Sequence, residues 1–285
     1  MYYLSPYFQS LEYDTERTVV WHSVFGRPML APNALAEKLA ARAGEGFELR
    51  EVLGEDYGSD SATVELLSRM AAGHLLNRSL AQEFKEIQRL YRKFNRPGVG
   101  KAKELGIFFD ENTTDEMMTT AVTLYTAAVA GAGIKEVDVL YIDWRKEEPH
   151  CALRNLELDE WILSGDLLVD PTAEDVAFCE SERGSMLYMM PNGDVVACPH
   201  SKTVLCRYDE LDRVFLTEGY QELLARRQLS RLPKRCQRCE IFGFCRGGCM
   251  AEQDLEEREV RRHCGAYRAA AESALRRQVE SGEIV

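Results

Sequence analysis

The chain has 285 residues, 45% of them hydrophobic and 29% charged, with 20 Gly and 9 Pro. That composition excludes a disordered or collagen-like chain, and at roughly 100 to 200 residues per domain the length predicts about two domains, with room for a third small one. The 35 Lys and Arg against 47 Asp and Glu leave a net charge of −12, a surface that repels phosphate backbones and argues against general nucleic-acid binding. No run of consecutive apolar residues reaches about 18, so no membrane-spanning helix is predicted, and the first residues carry neither the basic start nor the apolar run of a secretory signal. A cytoplasmic location is the expectation.

Residues 1–95 read as a small α/β unit. The β-branched and aromatic stretch 18–25 predicts a strand, ended by Gly26, Arg27 and Pro28, and the Ala- and Leu-rich stretch 33–42 predicts a helix. Residues 47–53 alternate apolar and polar, the pattern of a half-buried strand. A second helix is expected over 61–76. Ser79 and Gln82 have capping-box spacing ahead of a third, which carries Leu80, Phe84, Ile87, Leu90, Tyr91 and Phe94 on one face. Two strands and two or three helices in this order predict a winged-helix-like domain.

Asn95 to Gly100, rich in Pro and Gly, predicts a linker. Beyond it, residues 105–109 predict a strand, Thr113 and Glu116 a capping box opening a helix to about 130, and residues 137–144 a second strand. This single strand, helix and strand belongs to a parallel sheet, and no complete barrel is encoded. From 186 on, two short apolar runs flank Asn192 and Gly193, a strong hairpin signal. A helix is expected over 217–227 and a charged one over 251–277. The fold class predicted is therefore α+β.

Of nine cysteines, eight lie between 179 and 264. In a reducing compartment, thiols clustered in this way bind zinc or iron-sulfur centres and do not form disulfides. With Cys206 set aside, the order is Cys179-x13-Gly193-x4-Cys198 followed by Cys236-x2-Cys239-x5-Cys245-x3-Cys249-x14-Cys264. The two-residue gap lets both thiolates reach one metal centre from a tight turn, and Gly243, Gly247 and Gly248 let backbone bend closely around a bulky cofactor. Seven thiolates exceed the needs of one four-ligand site, so two sites are implied.

This seven-cysteine order, with the strings PNGDVVACPH and CQRCEIFGFCRGGCMAE, resembles the SPASM domain, the C-terminal extension of radical SAM enzymes that modify ribosomal peptides. The resemblance covers residues 176–285. It implies two 4Fe-4S clusters, the first on Cys179, Cys198 and Cys249 and the second on Cys236, Cys239, Cys245 and Cys264. The fourth position of the first is an open site, a non-cysteine ligand, or one of Cys151 and Cys206. Zinc bound by the same cysteines is the alternative.

The Cys-x3-Cys-x2-Cys motif that positions S-adenosylmethionine on a cluster is absent: the one x3 pair, Cys245 and Cys249, is followed by Glu252. Residues 101–175 nonetheless resemble a degenerate part of a radical SAM barrel, with residues 110–114 where the cysteine loop would begin and residues 141–149 near a Gly-Gly-Glu-Pro loop that has lost its glycines. Residues 1–95 resemble the winged-helix peptide-recognition domain of such maturases, in which a leader peptide adds a strand to a sheet edge. The strand following Thr18 is the expected edge. A local basic stretch, residues 226–246, carries Arg226, Arg227, Arg231, Lys234, Arg235, Arg238 and Arg246 against Glu240, a net of +6 beside the cysteines. His200 and His263 neighbour Cys198 and Cys264 and can hydrogen-bond cluster sulfurs. The implied function is an auxiliary, non-SAM-cleaving iron-sulfur protein of peptide maturation, with no catalytic residue assigned. Its partners would be a precursor peptide and either a radical SAM enzyme or a second copy of itself; the alternative is a zinc-stabilised binding module.

Overall fold

The computed structural model describes residues 1–55, 57–94, 104–109, 114–117, 119–120, 123–124, 127, 138–143, 162–164, 168, 186–198, 201, 203–226, 232–249 and 257–285. The chain is α+β, and its described strands form three sheets. The first centres on β1 (Tyr2–Leu4). The second is an antiparallel meander of β2 (Phe8–Glu12), β3 (Arg17–His22) and β4 (Gly26–Pro32). Helix α1 (Asn33–Ala40) follows, then β5 (Gly46–Phe47), α2 (Leu49–Leu53), α3 (Ser61–Ala72), β6 (Leu76–Asn77) and α4 (Leu80–Phe94). The two-residue strands β5 and β6 pair antiparallel with either side of β1.

Residues 47–53 are not the strand that their alternation predicts. Only Phe47 pairs with β1, and α2 begins after it with a capping box between Glu48 and Glu51. Leu49 and Val52, three apart, then face the same core. A short apolar run fits either period, and here the cap decides. Asp60, whose side chain accepts from the Ala62 amide, starts α3, and Gly73 ends it.

A second correction concerns β3. It pairs with β2 along Thr18 to His22 and with β4 along Arg17 to Val20, so the strand following Thr18 is central and has no free edge. Its two faces point into different cores. Val20 joins Leu4, Met29, Leu39, Phe47, Met70 and their neighbours from α1 to α3. Val19 and Trp21, on the opposite face by the two-residue period, join Ile241, Phe244, Tyr267 and Leu275 from the far end of the chain.

The third sheet is mixed. Strand β7 (Glu104–Phe109) lies parallel to both β8 (Asp138–Asp143) and β9 (Met186–Met189), and β10 (Asp194–Val196) and β11 (Val204–Arg207) complete the order β11-β10-β9-β7-β8. The parallel pair agrees with the expected strand, helix and strand, and the described residues between 115 and 127 are helical. The expected cap at Thr113 and the loop over 144–149 lie outside the described residues, as does the linker over 95–100.

The hairpin joining β9 and β10 forms, with a turn different from the one Asn-Gly predicts. The Gly193 amide donates to the Met190 carbonyl at 2.8 Å and the Met190 amide to Asp194 at 2.8 Å, leaving a three-residue loop. Pro191 fixes a negative φ at the first turn position. Gly193 alone in the loop takes a positive φ, +85°, which is the type I turn closed by a left-handed glycine. A side chain at Gly193 would also strike the Arg207 guanidinium, whose Nη1 donates to Asn192 and pairs with Asp194.

Beyond the third sheet, the described residues include the helices α5 (Glu218–Arg226), the single turn α6 (Phe242–Cys245) and α7 (Glu257–Glu280). No described helix is long and apolar enough to cross a membrane.

Candidate metal centre

The cysteine segment is built on turns. A 3-10 turn over Cys236–Arg238 is closed by the Cys236 amide on the Pro233 carbonyl at 2.8 Å and the Cys239 amide on the Cys236 carbonyl at 3.2 Å. The two thiols thus leave one tight bend. Cys245 is the last residue of α6, where Arg246 turns left-handed at φ +52° and Gly247 and Gly248 follow at +99° and +84°. Cys264 approaches from α7.

Three of these four share apolar neighbours in pairs, and the fourth, Cys264, is linked to them through Arg268. Cys239 and Cys245 pack against one apolar cluster with Phe244 and Tyr267, and Cys236 and Cys239 against another with Phe242 and Leu232. Arg268, one turn beyond Cys264, hydrogen-bonds the Cys239 sulfur and lies in the field of the Cys264 thiol. It also pairs with Glu240 at 2.7 Å. All four cysteines are half-buried. Burial, foremost, pushes the Cys239 thiol up, and a bound cation would reverse that direction by favouring the thiolate.

The residues assigned to the first set sit on different elements. Cys198 is buried just past β10, and Cys249 donates its amide to the Tyr267 hydroxyl at 3.2 Å, above α7 and one turn past Cys264. Cys179 lies outside the described residues, as do Cys151 and His200. Cys206 is buried on β11 opposite Val195, and burial pushes its thiol up to about 12, so it is a protonated thiol at neutral pH. His263 is buried beside Cys264.

Among the described residues no three Cys, His, Asp or Glu side chains converge closely enough to hold a metal ion. The donor chemistry of the second set still fits a four-thiolate centre. Its thiols come from a turn, a helix end and a facing helix, half-sheltered by apolar side chains, with a guanidinium against two of them.

Several residues around this segment carry no signal in the sequence. The Trp21 indole donates to the Glu240 carbonyl at 2.9 Å across 219 residues. Gly243 donates its amide to the Ser23 carbonyl at 2.7 Å, and a Cβ on Gly243 would fall 2.5 Å from the Gly26 nitrogen. Its glycine is needed for this contact between two backbones as well as for bending around a cofactor. Arg246 is buried and donates to the Val24 carbonyl at 3.3 Å; burial holds its guanidinium down to about 10. The cysteine segment is thus seated on the link between β3 and β4.

No family model matches the chain, and no curated protein matches it.

Proposed function

We propose that this chain is an auxiliary iron-sulfur protein in the maturation of a ribosomally synthesised peptide. It binds the precursor and partners a radical SAM enzyme or a second copy of itself, without cleaving S-adenosylmethionine. The observation that carries this reading is the interleaved order of seven cysteines around the hairpin glycine. The apolar neighbours that Cys239 shares with Cys236 and with Cys245, and Arg268 beside Cys239 and Cys264, support it.

On this reading residues 176–285 are a SPASM-like domain with two 4Fe-4S clusters. The second is held by Cys236, Cys239, Cys245 and Cys264, and the first by Cys179, Cys198 and Cys249. Bound clusters supply one-electron transfer. The chain's own contribution is to shelter them, to set cations such as Arg268 beside thiolates, and to hold the segment against residues 1–95, read here as a winged-helix-like recognition domain. The absence of a Cys-x3-Cys-x2-Cys motif is why no SAM cleavage is assigned, and residues 101–175 are read as a degenerate barrel remnant.

Peptide would add to the outer edge of β2, which pairs only with β3 among the described residues. Arg276 caps one end of that edge by donating to the Glu12 and Tyr13 carbonyls at 3.0 and 3.2 Å.

The test is anaerobic purification with metal analysis. Brown protein absorbing near ~400 nm with about eight irons per chain, two four-iron clusters, is the expected result. Colourless protein carrying about one or two zinc ions would overturn it in favour of a zinc-stabilised binding module.

A further inference from the structure

A polar cluster unrelated to the cysteines is buried in the N-terminal unit. Glu83 of α4 accepts from the Ser5 hydroxyl at 2.5 Å and the Asn77 amide at 3.0 Å, and its Oε1 lies 3.1 Å from His22 Nε2. His22 is 0% exposed and Glu83 2%. The other ring nitrogen, Nδ1, accepts from the Val24 amide at 3.1 Å and the Phe25 amide at 3.2 Å. Two N–H groups aimed at Nδ1 leave no room for a proton there. The tautomer is therefore fixed: Nε2 carries the hydrogen and donates to Glu83.

The link that His22 shapes is the seat of the cysteine segment. Its Ser23 and Val24 carbonyls receive the Gly243 amide and the Arg246 guanidinium, and Val24 packs with Phe242 and Leu232. The backbone approach of Gly243 to Gly26 leaves no slack for the link to move while the segment stays docked.

We infer that Glu83 and His22 are a proton-sensitive positioning pair that seats the cysteine segment on the N-terminal unit and releases it when His22 is protonated. A proton on Nδ1 would face the Val24 and Phe25 N–H groups, and both hydrogen bonds that shape the link would be lost. The surroundings oppose and favour that proton in turn. Burial comes first and lowers the affinity of His22 for a proton; Glu83 raises it; His74, ahead of β6, and Arg27 of β4 lower it. Glu86, also on α4, faces His74, and the Tyr7 and Phe25 rings pack on the imidazole at 5.3 and 4.5 Å. Arg246, from the docked segment, adds a cation on the far side of the link.

The sign follows from linkage. With His22 held below its ordinary 6.5 in the docked state and free to reach it once released, release takes up a proton, so docking weakens as pH falls below 6.5. The slope between the two values is about tenfold per pH unit, that of one linked proton. The inference stands on backbone docking and holds whether the cysteines carry iron, zinc or nothing.

Hydrogen exchange of the full chain between pH 7.5 and 5, normalised to intrinsic rates, tests it. Amides of residues 240–248 should lose protection as pH falls while those of β3 keep theirs. In His22→Asn the side-chain carbonyl can still accept from the amides two and three residues on, as in an Asx turn, so protection should persist and no longer depend on pH. Glu83→Gln, lacking the carboxylate that favours imidazolium in the docked state, should leave the onset of the loss in place and make the loss deeper, continuing to lower pH. Flat protection in the native chain, loss at β3 and 240–248 together, or His22→Asn following the native profile would each overturn the inference.

Discussion

At the scale of single residues, Cys249 is the most informative side chain. In sequence it stands four residues from Cys245, and its amide is bonded to Tyr267 on the helix that carries Cys264. Proximity alone would place it with the second set, whereas the cysteine order groups it with Cys179 and Cys198. The two assignments predict different losses. Under the grouping by order, Cys249→Ala and Cys198→Ala should each remove the same cluster, about four irons per chain, and leave the signal abolished by Cys245→Ala intact. Iron counting with electron paramagnetic resonance of the three reduced variants checks this. If Cys249→Ala and Cys245→Ala lose the same signal while Cys198→Ala does not, the cysteines group by proximity. Cys206→Ala, removing a buried protonated thiol, should leave both signals in place.

Among the elements, the meander β2-β3-β4 decides where a peptide can add. A central strand offers no ladder groups, and Val20 is fully buried within it, so proline there would break the sheet instead of reporting on an edge. Along β2, successive N–H groups alternate between β3 and the outside, so of Ser10→Pro and Leu11→Pro one removes an outward donor and spares the ladder. The variant that keeps native circular dichroism should bind the precursor leader at least about tenfold more weakly by titration, a loss within the range of one or two hydrogen bonds. Undiminished binding by that variant would exclude the β2 edge. Local pattern made β3, α1, α3, α4 and the hairpin legible, because each carries its own apolar face or turn signal. The central position of β3 was not legible, since it depends on β2 and β4 pairing around it, and strand order is not written in either neighbour. Residues 47–53 misled because Phe47, Leu49 and Leu53 keep the parity of a strand while Leu49, Val52 and Leu53 have the spacing of a helix turn, and the Glu48 and Glu51 cap decides for the helix.

For the molecule as a whole, the decisive feature is that β3 serves two cores. The spacing of the cysteines was readable as a candidate site, but what supports it was not: Trp21, Ser23 and Val24 lie more than 200 residues from their partners, and no local pattern encodes such contacts. A boundary near residue 95 therefore cuts through packed side chains. Val19 and Trp21 are 0% and 5% exposed against Ile241, Phe244, Tyr267 and Leu275, and Ile87 of α4 is 1% exposed against Phe242 and Leu232. Exposing each such side chain costs about 1.5–3 kcal/mol, so uncovering three of them removes roughly 4–9 kcal/mol, comparable to the whole stability of a typical domain. Residues 1–94 expressed alone should consequently unfold at far lower denaturant concentration than the intact chain, or aggregate through the uncovered face of the meander. Co-expression with residues 232–285 should recover part of the loss, since that segment carries the covering side chains. Urea denaturation followed by Trp21 fluorescence reads this directly, with Trp21 the sole tryptophan of the fragment. A fragment that melts cooperatively at the midpoint of the intact chain would mean that the shared core contributes nothing, and that the N-terminal unit is autonomous after all.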